Sequence, residues 1–201
     1  MFPRYAPIIA IALTGAMAQA QTTTAPAARL TLTAEQQIAV AVTPVPPEFR
    51  DSATVLGYGS DGKLRELRAG RGAMVCLAPD PARERIQAAC YHRSLEPFMA
   101  RGRQLRAEGV RGDQIDSVRF SEVRSGRLAF PASPALLYSI TGEAGSYDAA
   151  TGTIKGRPLF VVYVKDATAA TTGLPAQPVQ GMPWIMHPGT IKAHIMFVPT
   201  M

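Results

Sequence analysis

Cysteine is scarce in this chain. Of 201 residues only Cys76 and Cys90 carry a thiol, and their spacing excludes both a C-x-x-C redox motif and a C-x-x-C-H haem site. With three histidines in all, no zinc-finger or H-E-x-x-H pattern can be assembled. There is no P-loop. Gly57, Gly59 and Gly62 match the G-x-G-x-x-G spacing, but "KLRELR" and Gly70 follow and leave no room for the long helix of a dinucleotide-binding unit, so these glycines read as a hairpin turn. Beyond residue 20 no uncharged apolar run approaches the ~20 residues that cross a bilayer, so no membrane span is expected there.

What is present begins with an export signal. Arg4 precedes the apolar run "APIIAIALTGAMA", and Ala18-Gln19-Ala20 supplies the small-x-small pattern of a signal-peptidase site. Residues 1–20 are expected to be a signal peptide and residues 21–30, which hold "QTTTAPAAR", a flexible leader. No cysteine lies near the cleavage site, so a lipid anchor is not expected. The mature protein is expected to be periplasmic or secreted, with residues 31–201 as one domain.

Export gives the two cysteines a meaning. In an oxidising compartment Cys76 and Cys90 are expected to form one disulfide, joining "AMVCLA" to "AACY" across the turn-like "PDPARER". A loop of that size stabilises by roughly 3 kcal/mol in the chain-entropy account.

The formal net charge is +6, and between Lys63 and Arg127 thirteen arginines and one lysine face eight acids. An exported protein rarely meets nucleic acid, so the partners expected of this region are anionic envelope components or acidic small molecules. Arg101, Arg103, Arg106 and Arg111 are the residues expected to present the charge.

Periodicity outlines an α+β domain, mainly an antiparallel sheet with one or two packed helices and a short N-terminal helix. Thr33 and Gln36 have capping-box spacing ahead of "IAVAV", and Pro44, Pro46 and Pro47 end that helix. "ATVLGYG" and "KLRELRAG" flank a Ser60-Asp61-Gly62 turn, and "AMVCLA" and "RIQAACY" add two strands. A helix then runs from an N-cap at Ser94 to Gly109. Leu95, Phe98, Met99, Gly102 and Leu105 share one face of it, with Gly102 expected to allow close approach to a sheet. A second helix over residues 113–124 has a poor apolar stripe. "ALLYSIT", "PLFVVYVK", "PWIMH" and "KAHIMFV" complete the strands.

Two constellations are candidates for chemistry. Tyr91, His92 and Ser94 crowd a strand-to-helix corner and are the catalytic candidates, for a hydrolase. Ser94 lies outside any G-x-S-x-G elbow, and as an N-cap its oxygen is already engaged. The other is "MPWIMHPGTIKAHIM". Alternation puts Met186 on one side of its strand and His187 on the other, while His194 and Met196 share a side of the next. Imidazole with thioether favours copper, so Met186, His187, His194 and Met196 are the metal candidates, against the simpler reading that they pack. No cofactor is required by any motif, and the leading expectation is a non-enzymatic binding module.

The chain also resembles a group of uncharacterised bacterial exported proteins. The resemblance is carried by the "QIAVAV…P" helix before "ATVLGY", the "GAMVCLAPD" strand and "ACYHRSLEPFMARGRQLRAEG". The late "G-x-P-W-I-M…P-G-T…A-H-I-M" completes it, so that it spans Gln37 to Phe197. It implies an exported, single-domain architecture and transfers no site residue.

Overall fold

The computed structural model describes residues 30–199. The expected signal peptide and all of the expected leader except Leu30 lie outside the described residues, and Leu30 itself packs with Val40 and Ile86 as part of the domain. The elements are α1 (Ala34–Ala41), α2 (Pro47–Arg50), β1 (Thr54–Tyr58), β2 (Leu64–Arg68), β3 (Met74–Leu77) and β4 (Ile86–His92) in the first half. A 3-10 turn (Arg93–Leu95) leads into α3 (Glu96–Ala107) and α4 (Gln114–Arg124). Then come β5 (Ala135–Gly142), β6 (Tyr147–Asp148), β7 (Thr153–Ile154), β8 (Arg157–Tyr163), α5 (Ala169–Thr172), β9 (Trp184–Met186) and β10 (His194–Phe197).

Eight strands form one sheet in the order β2-β1-β3-β4-β5-β8-β10-β9, and β6 and β7 pair separately. Every neighbour in the large sheet is antiparallel except β1 and β3, which run parallel. The chain is thus the expected α+β domain with a mostly antiparallel sheet. No helix of the described residues is long and apolar enough to cross a membrane.

Alternation along the strands gives the sheet two faces. One carries Val55, Cys76 and Cys90, which pack beneath Ala41, Val42 and Val45 at the end of α1. The other carries Val75, Tyr91 and Ala135, which pack against Leu95 and Met99 of the 3-10 turn and α3. The capping box at Thr33 and Gln36 forms as expected. One turn on, Gln37 is buried because its amide replaces a strand partner: its Oε1 accepts from Tyr58 N at 2.7 Å and its Nε2 donates to Tyr58 O at 3.0 Å. The prolines do end α1, but Pro47 also opens the short α2, where its missing N–H is no loss.

Two expectations about α3 change. Its first turn is preceded by the 3-10 turn, whose cap is His92 rather than Ser94: the Ser94 N–H donates to His92 Nδ1 at 3.3 Å. Gly102 faces a second helix, not a sheet. A Cβ there would lie 2.9 Å from Nη1 of Arg119 on α4, so the absent side chain makes room for a guanidinium. At the far end Gly109 takes φ 91°, and Val110 N–H donates to Leu105 O at 2.9 Å, terminating the helix as its sequence implies.

Candidate functional site

The corner at Tyr91, His92 and Ser94 separates its residues onto two faces. Tyr91 is buried, and its hydroxyl donates to Glu96 while accepting from Arg103 Nη1 at 2.8 Å. Burial and the Glu96 carboxylate push its phenol far above the ordinary range, outweighing Arg103, so it stays protonated. His92 and Ser94 lie exposed on the other side, with Nδ1 and Oγ 2.8 Å apart. That contact resembles a base–nucleophile pair, yet the same Nδ1 caps the turn. Among the described residues no carboxylate is bonded to His92 to orient it. The geometry is that of a helix cap.

The four arginines expected to present the positive charge differ in their partners. Arg101 is bidentate to Glu122 of α4, at 2.8 Å from Nη2 to Oε1. Arg103 pairs with Glu96 at 2.6 Å. Arg111 donates to the carbonyls of Arg106 and Val110. Arg106 has no carboxylate partner among the described residues, and with Arg83, Arg103, Tyr58, Asp80 and Gln87 it lines a cleft of about 290 Å³. Partial burial, with Arg119, Arg83 and Arg103 nearby, pushes its guanidinium down. Two of the four thus have a carboxylate partner, Arg101 across the α3–α4 contact and Arg103 along α3 itself.

The late segment is brought together more closely than its sequence indicated. His194 lies directly across the ladder from Met186 on one side and from Tyr163 on the other, and Met196 lies across from Trp184. These residues share the face that bears α3 and α4. Strict alternation would send His187 to the opposite face. It does not, because His187 leaves the strand with φ 50°, and its ring centroid comes to 5.6 Å from that of His194. His194 Nδ1 lies 2.7 Å from the Lys192 carbonyl, and Tyr163 shields its ring at 5.1 Å. Burial first, then Lys192, pushes His187 down. Burial also lowers His194, with His187 and Lys192 adding to it against the bond to the Lys192 carbonyl. Among the described residues no three His, Cys, Asp or Glu side chains converge. His92 projects from the opposite face, three strands away, so the two histidine positions do not meet.

Beside this pair is a polar cluster with no motif behind it. Asp116 of α4 bonds both Arg119 and Lys192, tying the helix to the segment before β10. Burial opposes ionisation of Asp116, but the bonds from Lys192 and Arg119 outweigh it and hold the carboxyl below the usual aspartate range. The unfolded chain therefore binds a proton here first as the pH falls. Stability present above about pH 4 is lost as the pH passes through the folded-state value. The lowered histidines act in the same sense from about pH 6.5 downward, because the unfolded chain protonates before the native one. Urea unfolding at pH 7, 5 and 3 is expected to give steadily lower stability. Asp116→Asn should flatten the lowest step; an unchanged profile in that variant would remove Asp116 from the account.

A broad apolar concavity lies on the opposite face. Across one row of the sheet, Cys76, Cys90, Tyr138, Phe160 and Phe197 are directly opposite one another in turn. The end of α1 covers the first two, and beyond them the face is open. Leu136, Tyr138, Phe160, Val162 and Phe197 floor a groove of about 870 Å³ walled by the Thr43–Pro46 turn on one side and Met182 and Val198 on the other. Met182, Phe197 and Val198 are 55%, 38% and 41% exposed, unusual for apolar side chains grouped together. Among the described residues Arg50 is the one charged residue of the lining. Its Nε donates to Val45 O at 3.0 Å and its Nη2 to Thr43 O at 3.3 Å, and no carboxylate neutralises it among the described residues. Sequence reasoning missed this groove because its floor residues look like ordinary strand core. Comparison with protein-family models, curated proteins and solved structures finds no match to this chain.

Proposed function

We propose that this protein is an exported, non-enzymatic binding module whose ligand is an amphiphilic anion, an acyl chain or similar apolar body bearing one negative group, held in the groove over β5, β8 and β10. The observation that carries the reading is an open apolar floor with, among the described residues, a single cationic side chain on its wall. The volume suits a small ligand. The apolar floor gives the attraction, and the Arg50 guanidinium, held by two backbone carbonyls, gives the orientation. Export is supported by the N-terminal signal pattern and by two cysteines at disulfide distance.

cis-Parinaric acid, a fluorescent fatty acid, is a suitable probe. At about 0.3 kcal/mol per heavy atom its binding is expected near −6 kcal/mol, a Kd of tens of micromolar. Val162→Glu places a carboxylate on the floor and is expected to weaken binding at least tenfold, about 1.4 kcal/mol. The probe's methyl ester should bind severalfold more weakly than the acid. Absence of saturable binding to the wild-type protein, or equal affinity in the Val162→Glu variant, would sink the reading. Probe-induced dimerisation seen by light scattering would reassign the groove to a contact between copies.

A further inference from the structure

We infer that His187, His194 and Met186 form a binding site for one Cu(I) ion, at the sheet edge and on the face opposite the apolar groove. The inference does not rest on the proposed ligand of that groove. It begins with the backbone. Met186 ends β9 directly across from His194, the first residue of β10, so their side chains leave the same face as neighbours. The next residue, His187, adopts φ 50°, a conformation that a side chain with a Cβ takes at some cost. The Thr190 hydroxyl donates to the His187 carbonyl at 2.8 Å and holds that turn. The left-handed step is what turns the second imidazole toward the first.

The ring geometry suits a shared ion. With metal–nitrogen bonds of about 2.0 Å and each nitrogen about 1.1 Å from its ring centre, two imidazole centres on one ion stand at most about 6.2 Å apart. The observed 5.6 Å, with planes inclined by 50°, corresponds to a bent arrangement open on one side. Met186, directly across the ladder from His194 and on the same face, is the third donor we assign. A carbonyl oxygen can only accept, so the 2.7 Å contact to Lys192 O puts the proton of a neutral His194 on Nδ1 and leaves the Nε2 lone pair for a ligand. Metal-binding histidines are commonly oriented in this way, by an N–H donated to a backbone carbonyl.

The donor set selects the metal. Among the described residues no third His, Cys, Asp or Glu joins the pair, and Asp116 is held by Arg119 and Lys192. Zn(II) and other ions that want four nitrogen, oxygen or thiolate ligands are therefore poorly served. Two imidazoles and a thioether match a soft monovalent ion with low coordination number. His187 is exposed, so an ion has access from solvent.

The test is an anaerobic Cu(I) titration of the disulfide-bonded protein against bicinchoninate, with ascorbate rather than a thiol as reductant. One equivalent is expected to move to the protein. His194→Ala and His187→Ala should each weaken binding about 100-fold and Met186→Leu about tenfold. In ¹⁵N spectra of the imidazole rings, Cu(I) should shift His187 and His194 and leave His92 in place. If His194→Ala fails to fold, the exposed His187 carries the test alone. Failure to take Cu(I) from bicinchoninate, or wild-type affinity in His187→Ala, would overturn the inference. A shift confined to His92 would overturn it as well.

Discussion

Arg119→Ala is expected to lower folding stability by about 3 kcal/mol, the low end of the loss seen when one member of a buried ion pair is removed. Few surface arginines would do this, and the environment explains the difference. Arg119 is only 8% exposed. Its guanidinium lies over the Phe98 ring at 3.9 Å, Nη1 donates to the Phe98 carbonyl at 3.2 Å, and Nη2 bonds Asp116. Alanine empties that volume, strands the Phe98 carbonyl and leaves Asp116 to Lys192 alone. Gly102 of α3 has no side chain because this guanidinium occupies the space.

The size of the charge contribution is separable from the packing. Nε of Arg119 is buried with no hydrogen-bond partner among the described residues, so part of the burial is uncompensated. Arg119→Met keeps most of the volume and removes that orphan, and it is expected to cost less than half as much as alanine. In thermal unfolding, alanine should shift the midpoint down by about 10 °C for a domain of this length. An alanine variant within about 0.5 kcal/mol of wild type, the range of an ordinary surface substitution, would mean that α4 does not depend on this side chain.

The second large effect is the loss of the disulfide. Cys76 and Cys90 stand directly opposite on β3 and β4, with Cα atoms 4.0 Å apart and a sequence separation of 14. Both are wholly buried beneath α1. The double variant Cys76→Ala, Cys90→Ala keeps a small apolar pair at the same place, so its cost reports mainly the freedom returned to the unfolded chain. That cost is expected to be about 3 kcal/mol. β3 has four residues and carries the parallel pairing to β1, so the cross-link holds a short strand at the point where the sheet changes direction. A guanidinium titration of the two proteins, without reductant, measures the difference. Equal stability would show that the bond adds nothing to the β3–β4 ladder.

The elements that could be read along the chain are those whose physics is local. The capping box at Thr33 and Gln36, the left-handed Gly109, the alternating strands and the opposed cysteines each depend on residues close together in sequence or on a single pairing. α3 was legible because Leu95, Phe98, Gly102 and Leu105 recur at helical spacing. α4 was obscure because one of its two buried positions is Arg119, a residue whose type argues for solvent until its partners are known. His187 was assigned to the wrong face because strand alternation holds only while the backbone stays extended. Arg101 and Arg103 look like free surface charge along the chain, and only the folded structure shows Glu122 of α4 beside the first and Glu96 of the same helix beside the second.

The strand order belonged to neither composition nor periodicity. Nothing in the spacing distinguishes a β3 that pairs parallel to β1 from one that continues a meander, because both bury the same side chains. Once that order is set, β8 and β10 lie beyond the reach of α1, and apolar residues that resemble core become an open floor. The same order places His92 and His194 on opposite faces and brings His187 and Met186 to His194. Local preferences chose the elements and the cross-link. Contacts between residues far apart in the chain chose which of their side chains share a surface.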